Sequence, residues 1–170
     1  MLHNMKKVKT ILFAMLLFTG NLFAQDYGTG IGLRLGGLSS GISVKGFVNS
    51  TSALEGIASF GRHSFIATAL YEKHFAIPGA TGLNMYVGAG GHIGFFGYRG
   101  SYFYKKKNEY YYVYDEGRTA VVPGVDLIIG LEYKIKDVPL AIGVDIKPFI
   151  DFFDGSGFYF DGALNIRYVF

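Results

Sequence analysis

The residues of this chain best equipped for chemistry are its ionisable side chains, and their spacing decides what they could do. His63 and Ser64 are neighbours, a base beside a hydroxyl, which acyl transfer or ester hydrolysis would use. Asp126, Glu132 and Asp145 could form a carboxylate cluster, but Arg34, Lys45, Lys147 and Arg167 offer charges of the opposite sign, and structural pairing is the simpler reading. His63, His74 and His92 stand at no metal-ligand spacing, and His74 and His92 read as members of a polar network. Gly28-Thr29-Gly30-Ile31-Gly32 is glycine-rich, yet no helix follows to complete a phosphate cradle. The chain has no cysteine, so neither a disulfide nor a thiolate metal site is expected. These patterns predict no enzyme, no cofactor and no metal.

What must position these side chains is a set of β-strands. In the last thirteen residues, Phe158, Phe160, Gly162, Leu164, Ile166, Tyr168 and Phe170 alternate with Tyr159, Asp161, Ala163, Asn165, Arg167 and Val169. A period of two, with one oily face and one wet face, is a strand pattern. Seven earlier segments show it too, at about Gly28–Gly36, Gly41–Asn49, Ala53–Arg62, Ser64–Phe75, Asn84–Gly97, Gly124–Lys134 and Leu140–Asp151. Ile57 interrupts the wet side of the third segment, and Lys73 the oily side of the fourth, where it could snorkel. Pro148 lies on the oily side of the seventh, where a ladder bond should be missing. Glycines on the wet side of the fifth leave room for long side chains from across the interior. Turns fall where Gly, Pro, Asn and Ser cluster, as in Asn49-Ser50-Thr51-Ser52 and Asp154-Gly155-Ser156-Gly157.

The chain begins differently. Lys6, Lys7 and Lys9 precede an apolar run, Ile11–Phe18, and a short region ending at Ala24. That is the plan of a cleaved secretory signal, so residues 1–24 are predicted to be removed and 25–170 to form one barrel domain. The full chain of 170 residues has 16 basic and 13 acidic side chains. The signal carries three of the lysines and no acid, which leaves 13 of each sign and a neutral mature chain. The basic balance therefore gives no argument for nucleic acid as a partner. Glycine at 25 residues and an aromatic content of 17% suit strands, tight turns and interfacial aromatics.

Alternation alone does not say which face is inside. The wet faces carry Arg34, Lys45, Glu55, Glu72, His92, Asp126, Glu132, Asp145, Lys147, Asp161 and Arg167, both signs at mid-strand, as a narrow interior of paired charges would. The oily faces are almost free of charge, as lipid contact demands, since a basic residue at the bilayer midplane costs roughly 2–4 kcal/mol. The expected fold is all-β: an eight-stranded antiparallel up-and-down transmembrane barrel with a polar, side-chain-filled interior. An even strand count puts both ends on one side, the periplasm, with turns near residues 49–52, 76–83 and 135–139 there, and 37–40, 62–64, 97–118 and 152–157 outside.

The last strand resembles that of bacterial outer-membrane β-barrels, which commonly end on phenylalanine after alternating apolar or aromatic residues. The whole mature pattern resembles small barrels of the OmpX and OmpA-membrane-domain type, within the porin-like outer-membrane family. The resemblance implies that Gly162, Leu164, Ile166, Tyr168 and Phe170 are the signal read by the barrel-assembly machinery, and that the protein sits as a monomer in the outer membrane among lipid and lipopolysaccharide. It implies a role in surface interaction or envelope structure. An outer-leaflet lipid-modifying enzyme is one alternative, although the related deacylase pattern separates its His and Ser by one residue. A narrow channel or small-ligand carrier is another. The long segment 97–118 reads as a hairpin with a lysine-rich turn between tyrosine-rich arms. Tyr102, Tyr104, Lys105, Lys106, Lys107, Tyr110, Tyr112 and Tyr114 make it the candidate surface for an extracellular protein or glycan, since tyrosines give rigid contact area with a polar tip.

Overall fold

The structure, a computed structural model, describes residues 27–61, 64–98, 101–106, 109–114, 118–152 and 157–170. The predicted signal at 1–24 lies outside the described residues, as do His63 and Lys107. Ten strands follow one another: β1 (Thr29–Gly36), β2 (Ser40–Asn49), β3 (Ser52–Phe60), β4 (Ser64–Ala76), β5 (Leu83–Tyr98), β6 (Ser101–Lys106), β7 (Glu109–Tyr114), β8 (Arg118–Lys134), β9 (Leu140–Asp151) and β10 (Phe158–Val169). Eight of them close into an antiparallel barrel in the order β1-β10-β9-β8-β5-β4-β3-β2, while β6 and β7 form a two-stranded sheet of their own.

Closure joins the first and last barrel strands, with Leu33 opposite Ile166 and Arg34 opposite Asn165. The amides of Gly28 and Thr29 donate to the Phe170 carbonyl at 3.1 and 2.9 Å. A closed ring leaves no unpaired sheet edge. The rim that carries Gly28 and Phe170 has short turns. At one, the Asn49 side chain accepts from the amides of Thr51 and Ser52 at 3.0 and 2.9 Å. Another places Gly79 and Gly82 at φ of 81° and 82°, where a side chain would be strained.

The pleat then sorts the side chains. Leu33, Leu127 and Ile146 are 54%, 59% and 53% exposed, whereas Arg34, Lys45 and Arg167 are 1%, 0% and 1% exposed. The oily face is on the outside of the barrel and the wet face is its core. This is the reverse of a water-soluble barrel, and the apolar belt far exceeds the few hundred Å² that a soluble monomer exposes.

Several local expectations are refined. Ile57 is no defect, because it is buried with Leu70, Tyr86 and Ile128 in an apolar cluster inside the lumen. Lys73 stands at the rim and donates to the hydroxyls of Thr51 and Ser52. The β8–β9 ladder is interrupted between the pairs Asp126–Phe149 and Ile129–Ile146, the stretch that contains Pro148. The space beside Gly88 is taken by Glu72 and Ile128 of the neighbouring strands, rather than by residues across the barrel. The strand expected from Gly124 starts at Arg118 instead. Pro123 sits within it opposite Ile93, and its carbonyl accepts the Phe152 amide at 2.9 Å, so a residue without an N–H is still accommodated. The expected hairpin is present, with Tyr104 opposite Tyr111 and Lys105 opposite Tyr110, but as a separate sheet rather than as a continuation of the barrel wall.

Candidate functional site: the lumen and its mouth

Inward-pointing residues of all eight barrel strands meet in the lumen in three groups. Nearest the rim of Gly28 and Phe170, the Arg167 guanidinium of β10 spreads its nitrogens over several partners. It donates to Glu132 at 2.6 Å, to the Ser43 hydroxyl at 3.1 Å and to the Glu55 carboxylate. A planar fork with fixed donors suits such bridging. Lys45 of β2 lies 2.7 Å from Glu72, 3.3 Å from Glu55 and 3.6 Å from Glu132, and 4.2 Å from the Tyr86 ring centroid. The Tyr27 hydroxyl donates to Glu132. His74 Nε2 is 3.0 Å from Glu72, and its ring stacks on Tyr86.

The second group is built on Arg34. It donates at 2.7 Å to Asp161 and at 2.7 Å to Asp145, and Asn165 donates to Asp145 at 2.6 Å. In the third group, His92 Nδ1 is 2.7 Å from Asp126 and Nε2 is 2.9 Å from Asp151. Lys147 donates to Asp126 and lies 4.6 Å from the Phe149 ring centroid. Phe149 in turn stacks on Tyr159 at 5.3 Å.

All eleven charged residues or histidines expected on the wet faces are thus inside the barrel and paired. Tyr27, Ser43, Tyr86, Asp151 and Asn165 complete the groups and were not among them. Tyr86, Asp151 and Asn165 share the inward parity of their strands, which is the signal that could have found them. Tyr27 precedes the first alternating residue and had no such signal. Of the candidate surface residues of the hairpin, Tyr102, Tyr104, Lys105 and Lys106 lie on β6 and Tyr110, Tyr112 and Tyr114 on β7, while Lys107 and the side chains of all of them lie outside the described residues.

Above the third group, at the rim opposite Gly28 and Phe170, the lumen widens into a cavity of about 340 Å³. Its apolar wall includes Ile66, Phe96, Val122, Phe149 and Tyr159, and its polar wall includes Ser59, Thr68, His92, Lys147 and Asp151. Both nitrogens of His92 face carboxylates, so neither is free to activate the hydroxyl of Ser59, Ser64 or Thr68.

No protein-family model and no curated protein matches the chain. Among solved structures, the N-terminal β-barrel domain of OprF from Pseudomonas aeruginosa is similar, at a TM-score of 0.57 and 14% identity over 82% of this chain and 94% of that one. At that identity the likeness speaks to the fold alone, the closed eight-stranded antiparallel barrel.

Proposed function

We propose that the chain is an integral outer-membrane β-barrel with a structural or surface-interaction role, and not an enzyme. The observation that carries this reading is the sorting of side chains. An uninterrupted apolar belt faces outward, while the charges pair inside. Water would penalise that arrangement, whereas a bilayer rewards it. The resemblance of β10 to terminal strands of such barrels supports the same location. So does the predicted secretory signal, after whose removal residues 25–170 would form the barrel domain.

In this reading Gly162, Leu164, Ile166, Tyr168 and Phe170 recruit the barrel-assembly machinery. The barrel stands as a monomer in lipid and lipopolysaccharide. The rim of Gly28 and Phe170 faces the periplasm, and the β6–β7 hairpin stands outside, available to an extracellular protein or glycan. The test is fractionation with gel migration. The protein should pellet with outer membranes, run as a compact species when unheated in detergent, and shift on boiling. A processed chain found in the soluble periplasmic fraction, with no shift, would refute the proposal.

A further inference from the structure

We infer that the cavity at the mouth of the lumen is a binding site for a small organic cation, an ammonium group carried on an apolar or aromatic body. This goes beyond the surface role, because it rests on the lumen alone.

Charge balance is the first support. His92, Lys147, Asp151 and Asp161 line the cavity, and together with the ion pairs behind them the two nearest groups hold Arg34 and Lys147 against Asp126, Asp145, Asp151 and Asp161. Counting His92 as a third cation still leaves the carboxylates in excess. Lys147 does not make the cavity an anion site, because its charge is already committed to Asp126. Asp151 is different. Its only described partner is His92, through one oxygen, and its side chain keeps 17% exposure.

The second support is unpartnered polarity. Ser59 and Thr68 are 4% and 5% exposed and line the cavity, and neither hydroxyl has a hydrogen-bond partner among the described residues. Both residues line the cavity, so a bound N–H group could donate to either hydroxyl. The third support is the wall. Phe96 and Tyr159 contribute aromatic rings to it, and ring faces attract a cation. The volume is within the range of small-molecule pockets. Among the described residues no three His, Asp or Glu side chains converge as a metal ion would require, so an organic cation fits better than a divalent metal.

The experiment uses the mature chain, refolded in a maltoside detergent, because phosphocholine head groups would themselves compete. Phenethylammonium, phenethyl alcohol and phenylacetate are titrated in turn, following amide shifts by NMR. The expected result is saturable binding of the ammonium at least about tenfold tighter than the alcohol. Phenylacetate should not bind, and the shifts should centre on Thr68 and Asp151. Asp151→Asn and Thr68→Val should each weaken the ammonium, by about tenfold and about threefold, while both proteins still show the heat-dependent gel shift of the parent. Equal affinities for the three probes, a preference for the carboxylate, or an ammonium affinity untouched by both folded variants would overturn the inference. Two variants are used so that a failure of one to fold still leaves the other to decide.

Discussion

At the scale of the residue, Arg167 is the side chain on which the inner half of the lumen depends. It is 1% exposed and bridges Glu132 and Glu55, two buried carboxylates that would otherwise repel each other. Removing one partner from a buried ionic group costs more than the pair is worth, because the remaining charges stay buried. Arg167→Met should therefore lower unfolding stability by about 3–5 kcal/mol, read from urea unfolding of the barrel in lipid vesicles. Arg167→Lys should recover only part of this, because an ammonium cannot reproduce the fork. An unchanged midpoint in Arg167→Met would mean that the network carries no net strain of charge. Gly124 makes a steric point of the same kind. A Cβ there would lie 2.3 Å from His92 Cε1 and 2.4 Å from the Ile150 carbonyl oxygen, and the second neighbour is backbone that cannot swing away. Gly124→Ala should cost about 1–3 kcal/mol in the same assay. The inward charges were legible in the sequence, because parity places every one of them on a single face. Phe47 and Ile57 were less so. Polarity was used as the mark of the interior, yet a narrow lumen is filled by whatever volume fits, and Phe47 packs there between Tyr27 and His74.

At the scale of the element, β8 shows what alternation can and cannot convey. From Val125 to Tyr133 it puts Leu127, Ile129 and Leu131 outward and Asp126, Ile128 and Glu132 inward, so the sequence pattern and the structure agree. Its start did not follow from pattern, because Pro123 reads as a strand breaker and only its position opposite Ile93 shows that it is tolerated. The two faces of this strand should respond differently to charge. Leu127 is 59% exposed at mid-strand, and in the proposed membrane Leu127→Arg should cost roughly 2–4 kcal/mol in vesicles. The same substitution at Val138, in a rim turn, should cost roughly 0–1 kcal/mol. Equal costs at the two positions would argue against a bilayer around the barrel. The terminal strand carries a separate expectation. Phe170 is 65% exposed and its ring lies tilted against that of Tyr168, 6.2 Å between centroids, so its side chain contributes little to the lumen. If it is an assembly signal, Phe170→Ala should reduce the amount of barrel in cellular outer membranes several-fold while leaving the vesicle unfolding midpoint within about 0.5 kcal/mol of the parent. A loss in both measurements would make its role structural instead.

At the scale of the whole molecule, the closed ring and its filling decide what can pass and what can be presented. Below the mouth cavity, the Arg34 and Arg167 groups and the Ile57–Leu70–Tyr86–Ile128 cluster occupy the lumen from wall to wall. Eight strands enclose an interior that side chains just fill, so a continuous water path is not expected. The barrel reconstituted in a planar bilayer should carry no stepwise current above leakage. Regular single-channel openings would show that these groups can part. The mouth and the hairpin remain as the places where anything outside could engage. Because β6 and β7 pair with each other and not with the barrel wall, the hairpin can be removed without opening the ring. Deleting residues 100–116 should leave the heat-dependent gel shift and the urea midpoint close to those of the parent, and should abolish adhesion of whole cells to any surface or glycan that the parent binds. The two readouts separate the cases. Adhesion that survives in a folded deletion would take the hairpin out of the surface role and leave the mouth as its only candidate seat. A deletion that fails to fold would show that β6 and β7 brace the long strands β5 and β8, a structural duty that no pattern of tyrosines and lysines could announce.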